Sequence, residues 1–351
     1  MNKKIFFRLD WLSILLYLLL VSFGLVNIYS SGFSNTTILF WDPDYLVGKQ
    51  FWIFIACLII LPLILAIKSN FFEHLTYVFY GISILSLLGL FIFGQTISGA
   101  TSWYSLGSFS LQPSEFAKIT TAMVVALNLS SFQNDLRKNT RLLKIILLVS
   151  LPMLLIILQP DAGSALVFMG IFFVLIREGL NLKFLFLAMG LSLIFILTLL
   201  FSPLNLSLVM GFIFFIIYNL IKRRYLKTKK SPFILTLLIG IVFSYSVSLI
   251  FNTVFEQRHR DRFNIILGLE TDSRGIGYNI NQSKIAIGSG GFSGKGFLNG
   301  SQTKGNFVPE QETDYIFSIV GEEWGFLGSV TLILLFVILI FRIIYKAERH
   351  T

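Results

Sequence analysis

Stretches of apolar residues without charge alternate with short polar connections along most of this chain. They cover residues 11–29, 50–67, 75–94, 116–130, 145–158, 162–176, 184–201, 203–221, 232–251 and 324–341. A hydrocarbon core about 30 Å thick takes ~20 helical residues, so the pattern predicts ten membrane-spanning helices. The runs 145–158 and 162–176 reach that length only by extension into their polar flanks. The first run follows Met1, Asn2, Lys3 and Lys4. It is too long for the apolar core of a signal peptide and shows no Ala-x-Ala-like cleavage site, so it reads as an uncleaved span. The expected fold is an all-α polytopic membrane protein, one integral domain over 1–351, with a single long non-membrane stretch at 252–314.

Composition agrees with the pattern. Of 351 residues, 55% are hydrophobic and 13% charged, about half the charge of a soluble domain, which excludes one. The net charge of +10 could signal nucleic acid, anionic lipid or membrane orientation. Placement along the chain decides this. With the N-terminus in the cytoplasm, 19 of the 28 Lys and Arg fall on the inner side, as the positive-inside rule requires. Nucleic acid is then not needed, the basic segment 222–230 becomes a topology anchor, and the stretch 252–314 is extracytoplasmic. Cys57 is the single cysteine, so neither a disulfide framework nor a cysteine metal cluster is available.

Charge at membrane depth costs at least ~2.5–3.5 kcal/mol, so each such residue asks for a partner or a role. Glu115 and Lys118, three residues apart after Leu111-Gln112-Pro113-Ser114, share a helix face as a structural ion pair or a substrate contact, with Ser114 as a plausible cap. Asp161 in Gln159-Pro160-Asp161-Ala162-Gly163 serves either a tight turn or a cavity between two short spans.

The long stretch opens with Arg258, Arg260 and Arg262, which could grip a diphosphate through forked hydrogen bonds or rest at lipid headgroups. Residues 278–287 have the spacing of a short helix. Six Gly then surround Lys295 within 288–300, backbone that can approach an anion closely. It is no Walker A loop, since Ser289 stands at the first Gly position and Gly296 follows the Lys. Glu310, Glu312 and Asp314 precede the last span. Asp314 or Thr313 could cap it, or a carboxylate there could act as a general base.

At these residues the chain resembles the SEDS family of peptidoglycan polymerases, in wording closer to its RodA branch than to FtsW. The resemblance lies in Gly99-Ala100-Thr101-Ser102-Trp103, in 111–118, in 159–163, in 275–291 and in Gly294-Lys295-Gly296. It continues through Gly300-Ser301-Gln302, Val308-Pro309-Glu310, Thr313-Asp314-Tyr315-Ile316-Phe317 and 321–325. It implies a glycosyltransferase acting on lipid II in the plasma (inner) membrane during cell elongation. Asp314 would be the catalytic base and undecaprenyl diphosphate the leaving group. It further implies cavity roles for Glu115, Lys118 and Asp161, help from a divalent cation (Mg2+ or Mn2+), and a class B penicillin-binding protein among other elongation-complex partners. The metal's ligands are unknown. Ser102 stands where such proteins commonly carry Arg. The family pattern also ends with two further spans and a Ser-Tyr-Gly-Gly-Ser loop that are not found before Thr351, which reads as a C-terminal truncation, while 184–251 supplies an additional pair of spans. Two other functions remain open: a lipid II flippase or transporter, and an inactive scaffold of a cell-wall complex.

Overall fold

The computed structural model describes residues 10–33, 39–97, 99–107, 109–130, 139–224, 231–253, 255, 257–269 and 276–349. The described helices are α1 (Trp11–Gly32), α2 (Leu46–Ala66), α3 (Ser69–Phe93), α4 (Pro113–Ser130), α5 (Asn139–Leu158), α6 (Ala162–Val167), α7 (Gly170–Arg177), α8 (Lys183–Leu200), α9 (Pro203–Arg224), α10 (Ser231–Thr253), α11 (Gln257–Ile266), α12 (Ile276–Ser289), α13 (Ser301–Lys304) and α14 (Ile316–Arg349). Of these, α1, α2, α3, α5, α8, α9, α10 and α14 are long and apolar enough to cross a bilayer. The chain is thus an all-α, multi-pass membrane protein.

Two of the ten predicted spans differ from that group. Helix α4 has 18 residues and carries Glu115, Lys118, Thr120, Thr121 and Asn128, which dilute its apolar character. The predicted span 162–176 is divided into α6 and α7. Between them the amides of Phe168, Met169 and Ile171 bond the carbonyls three residues back, Ala165, Leu166 and Phe168, the tighter 3-10 pattern. The basic segment 222–230 is described only to residue 224.

One element went unread in the sequence. Strands β1 (Gln95–Ile97), β2 (Ala100–Leu106) and β3 (Phe109–Leu111) form a small antiparallel sheet in that order. It pairs Gln95 with Trp103, Ile97 with Ala100 and Tyr104 with Leu111. β-branched and aromatic residues favour such pairing. The turns fall at Gly99 and Gly107.

The chain separates into two compact units, residues 65–250 and residues 1–64 with 251–351. In the first, Leu87, Leu90, Ala117, Ile156, Ala165 and Phe168 form a buried core between α3, α4, α5 and α6. Lipid offers no hydrophobic drive between helices, so interhelical hydrogen bonds of about 0.6–2 kcal/mol matter more. Ser83 and Thr120 pair their hydroxyls at 2.8 Å across α3 and α4, Tyr80 donates to the Leu148 carbonyl at 2.9 Å, and Thr198 donates to Ser244 at 2.9 Å.

In the second unit, α1 and α14 run antiparallel and are fastened near both ends. The guanidinium of Arg342 grips Asp10 through Nε at 2.9 and 3.0 Å and Nη2 at 2.6 Å, and this holds the Asp10 carboxyl down at about 2 from its ordinary 3.8. At the other end Ser30 donates to Glu323 at 2.5 Å. The fastenings are about twenty residues apart on either helix, or ~30 Å at 1.5 Å per residue.

Helix α14 is broken at Gly325, whose φ of 64° and ψ of −159° only glycine adopts without strain. Such a break frees carbonyls before it and amides after it. The Gly-rich turn after α12 takes up both. Lys295 and Gly296 donate their amides to the carbonyls of Glu322 and Glu323 at 3.0 and 2.9 Å, and the carbonyls of Gly291 and Phe292 accept from Phe326 and Leu327 at 3.0 and 3.1 Å. Two backbones meet here without room for side chains: a Cβ at Gly325 would collide with the Gly294 amide, and one at Gly294 (φ 80°) with the Glu323 carbonyl.

Candidate functional site

The sequence candidates divide between the units, with Glu115, Lys118 and Asp161 in residues 65–250 and the others in the remainder. Helix α4 begins at Pro113, two residues earlier than a Ser114 cap would place it; proline suits that first position because it lacks the amide left unbonded there. The Ser114 hydroxyl is buried and has no partner among the described residues. Lys118 pairs with Glu115 at 2.7 Å, with their side chains 24% and 56% exposed. Asp161 accepts the amide of Ser164 at 3.1 Å and caps α6, and it also accepts the side-chain amide of Gln112 at 3.1 Å. The turn role is therefore realised. Gln112 in addition ties Asp161 to the residue just ahead of α4, whose first turn carries Glu115. Beside it, Gln159 is buried and donates to the Leu87 carbonyl at 2.8 Å, while its own carbonyl accepts the Thr101 amide of β2 at 3.1 Å.

In the other unit, α11 carries the arginine cluster. Arg260 bonds the Asn252 carbonyl at 3.1 Å and the Gln257 side chain at 2.7 Å. The side chains of Arg258 and Arg262 lie outside the described residues. The short helix expected over 278–287 is present within α12.

The Gly-rich turn does bind an anion, and the anion belongs to the chain. Glu322 is fully buried. Its carboxylate accepts Lys295 Nζ at 2.7 Å, the amides of Gln302 and Thr303 at 2.8 Å each, the Thr303 hydroxyl at 2.7 Å, and longer contacts from Ser301 at 3.3 Å and Ser289 at 3.4 Å. Lys295, 28% exposed, also donates to the Ser301 hydroxyl at 2.8 Å. Of the expected loop donors, the Lys295 ammonium and the Ser289 hydroxyl are thus spent on Glu322, joined by the amides of Gln302 and Thr303 just beyond the loop. Glu323, equally buried, turns to Ser30 on α1. Trp324 packs between Phe23 and Phe297, with ring centres 5.2 and 6.2 Å away.

Asp314 lies in the turn between α13 and α14. It is exposed, and among the described residues nothing is bonded to its carboxylate. Thr313 turns its hydroxyl back to the Glu310 carbonyl at 3.3 Å instead of capping α14. Glu310, also exposed, has φ 54°, and its carbonyl accepts the amides of Thr313 and Tyr315 at 3.2 Å each. Among the described residues no three His, Cys, Asp or Glu side chains converge to hold a metal.

The family of cell cycle proteins that comprises FtsW, RodA and SpoVE matches residues 10–213 and 207–351. The chain belongs to this family. It is 33% identical to the peptidoglycan glycosyltransferase RodA of Treponema pallidum over 92% of this chain and 78% of that protein. With the peptidoglycan glycosyltransferase MrdB of Escherichia coli it shares 30% identity over 99% and 79% of the two chains. Its fold is similar to that of a chain in a peptidoglycan synthase complex, with TM-score 0.62 and 23% identity over 95% of this chain and 77% of that one. Similarity extends to Thermus thermophilus RodA, with TM-score 0.54 and 23% identity over 95% and 74%. Sequence reading missed the role of Glu322 in this FtsW/RodA/SpoVE family member. Glu322 had a signal: a carboxylate within an apolar helix must be met by donors.

Proposed function

We propose that this chain is a peptidoglycan glycosyltransferase that polymerises lipid II, with Asp314 as general base. One observation carries the reading: in a chain that matches the family from residue 10 to 351, the carboxylate of Asp314 stands exposed and unengaged just ahead of α14. A general base needs a free carboxylate within hydrogen-bond reach of the proton it takes. In this reading Asp314 accepts the proton of the GlcNAc 4-hydroxyl, whose oxygen attacks the MurNAc anomeric carbon of the growing strand. The bond from that carbon to the diphosphate breaks, undecaprenyl diphosphate departs with the electron pair, and a β-1,4 linkage forms with inversion.

The leaving diphosphate needs positive charge. Lys295 is committed to Glu322, so the arginines of α11, in the same unit as Asp314, are the better source; Glu115, Lys118 and Asp161 are proposed as polar substrate contacts within their own unit. A divalent cation would arrive with the diphosphate oxygens and draw on at most one or two carboxylates, as magnesium commonly does. The basic residues of the short connections support a plasma-membrane protein with a cytoplasmic N-terminus and Asp314 on the outer side, where a class B penicillin-binding protein could crosslink the product. Asp314→Asn in the purified chain, supplied with lipid II, should abolish polymer; glycan formation at the wild-type rate would refute the assignment.

A further inference from the structure

An exposed carboxylate with no partner has nothing at its own atoms to fix its position. A base must nevertheless be held to about half an ångström of its productive place, and a displacement of 1 Å can cost ~100-fold in rate. For Asp314 the hold must come through the backbone on either side. On the C-terminal side, α14 supplies it, with Ser318, Ile319 and Val320 buried. On the N-terminal side, the turn 309–315 is exposed or half-buried save for Gln311, 4% exposed, with buried Val308 just before it.

Gln311 is a hydrogen-bonded peg. Its amide nitrogen donates to the Thr303 carbonyl at 3.0 Å and to the Asn306 side chain at 2.8 Å. Thr303 is in turn held to the buried Glu322 carboxylate by amide and hydroxyl at 2.8 and 2.7 Å. A continuous bonded path therefore runs from the broken helix to a point three residues before Asp314. Stability alone is a weak reason for the peg. Its amide oxygen is buried without a partner among the described residues, and that loss offsets much of what two neutral hydrogen bonds return.

We infer that Gln311, acting with Thr303 from the Glu322 anchor, is a positioning residue for the base Asp314. The inference rests on the proposed function, and the experiment separates the two. In the full-length chain with lipid II, Gln311→Met, which keeps length and loses both bonds, should lower kcat at least 30-fold per folded molecule and leave KM within threefold. Thr303→Val should lower kcat at least tenfold, and Thr303→Ser, which retains the hydroxyl, should recover to within threefold. Independently of activity, amides 313–315 should exchange at least tenfold faster in Gln311→Met, with those of 330–340 unchanged. If Asp314→Asn is inactive while Gln311→Met keeps wild-type kcat, positioning alone is refuted. If Asp314→Asn polymerises normally, the proposed function is refuted and the positioning of a base with it. Unchanged exchange at 313–315, or a Gln311→Met defect confined to KM or to the folded fraction, overturns the inference as well.

Discussion

Lys295→Met keeps the apolar stem and removes the ammonium, leaving the buried carboxylate of Glu322 with five remaining contacts from Ser289, Ser301, Gln302 and Thr303. Stripping one partner from a buried pair costs ~3–5 kcal/mol, and losing one charge-assisted hydrogen bond ~1.5–3 kcal/mol. Two features keep this case at the low end: Lys295 is 28% exposed, so water screens part of its charge, and the remaining donors still solvate the carboxylate. The expected cost is about 2 kcal/mol. At 1.36 kcal/mol per factor of ten, that makes local opening of the Gly-rich segment ~30-fold more frequent. Amide hydrogen exchange reads this directly. The amides of Gln302 and Thr303, which bond Glu322, should exchange ~30-fold faster, with those of 330–340 unchanged. Exchange at Gln302 and Thr303 within threefold of wild type would refute the account of Lys295 as a clamp on Glu322.

Gly325→Ala places a side chain at φ 64° against the Gly294 amide and should lower the unfolding temperature by the equivalent of at least ~1–3 kcal/mol. Gly24→Ala, in open space on α1, should be neutral or slightly stabilising. Asp10 has its folded pKa depressed from 3.8 to about 2, so the clasp's contribution is complete above the unfolded value and is lost as pH falls through the folded one. The difference in thermal stability between wild type and Asp10→Asn should be constant from about pH 5 to 8, shrink progressively below about pH 5 and vanish only near pH 1.

The spans were legible because length against the thickness of a membrane is a coarse test that charge-free runs pass or fail. Helices α8 and α10 begin and end within two residues of their runs. What escaped was decided by contacts between distant residues. The break at Gly325 exists because the turn around Gly294 fills it, and nothing local in 316–349 marks that partner. Lys295 in its setting of glycines read as a ligand grip; its counter-charge lies 27 residues downstream, just ahead of the last apolar run. The sheet was too short for its period to register between α3 and α4. The proposed base, Asp314, was singled out by the family wording around it, while Gln311, the residue proposed to hold its turn, carries no charge and no periodicity.

The clasp between Asp10 and Arg342 joins residues 332 positions apart. A ribosome working at ~5–20 residues/s needs roughly 17–66 s to deliver the second half of that contact after the first. Throughout this interval Ser30, whose hydroxyl meets Glu323 of α14 in the finished molecule, stands without that partner on a segment already committed to the bilayer, while Asn27 and Ser31 already bond carbonyls of α1 itself. Unsatisfied polar groups in hydrocarbon cost several kcal/mol each. The nascent first helix therefore keeps one polar group unpaired in the bilayer until the last helix arrives.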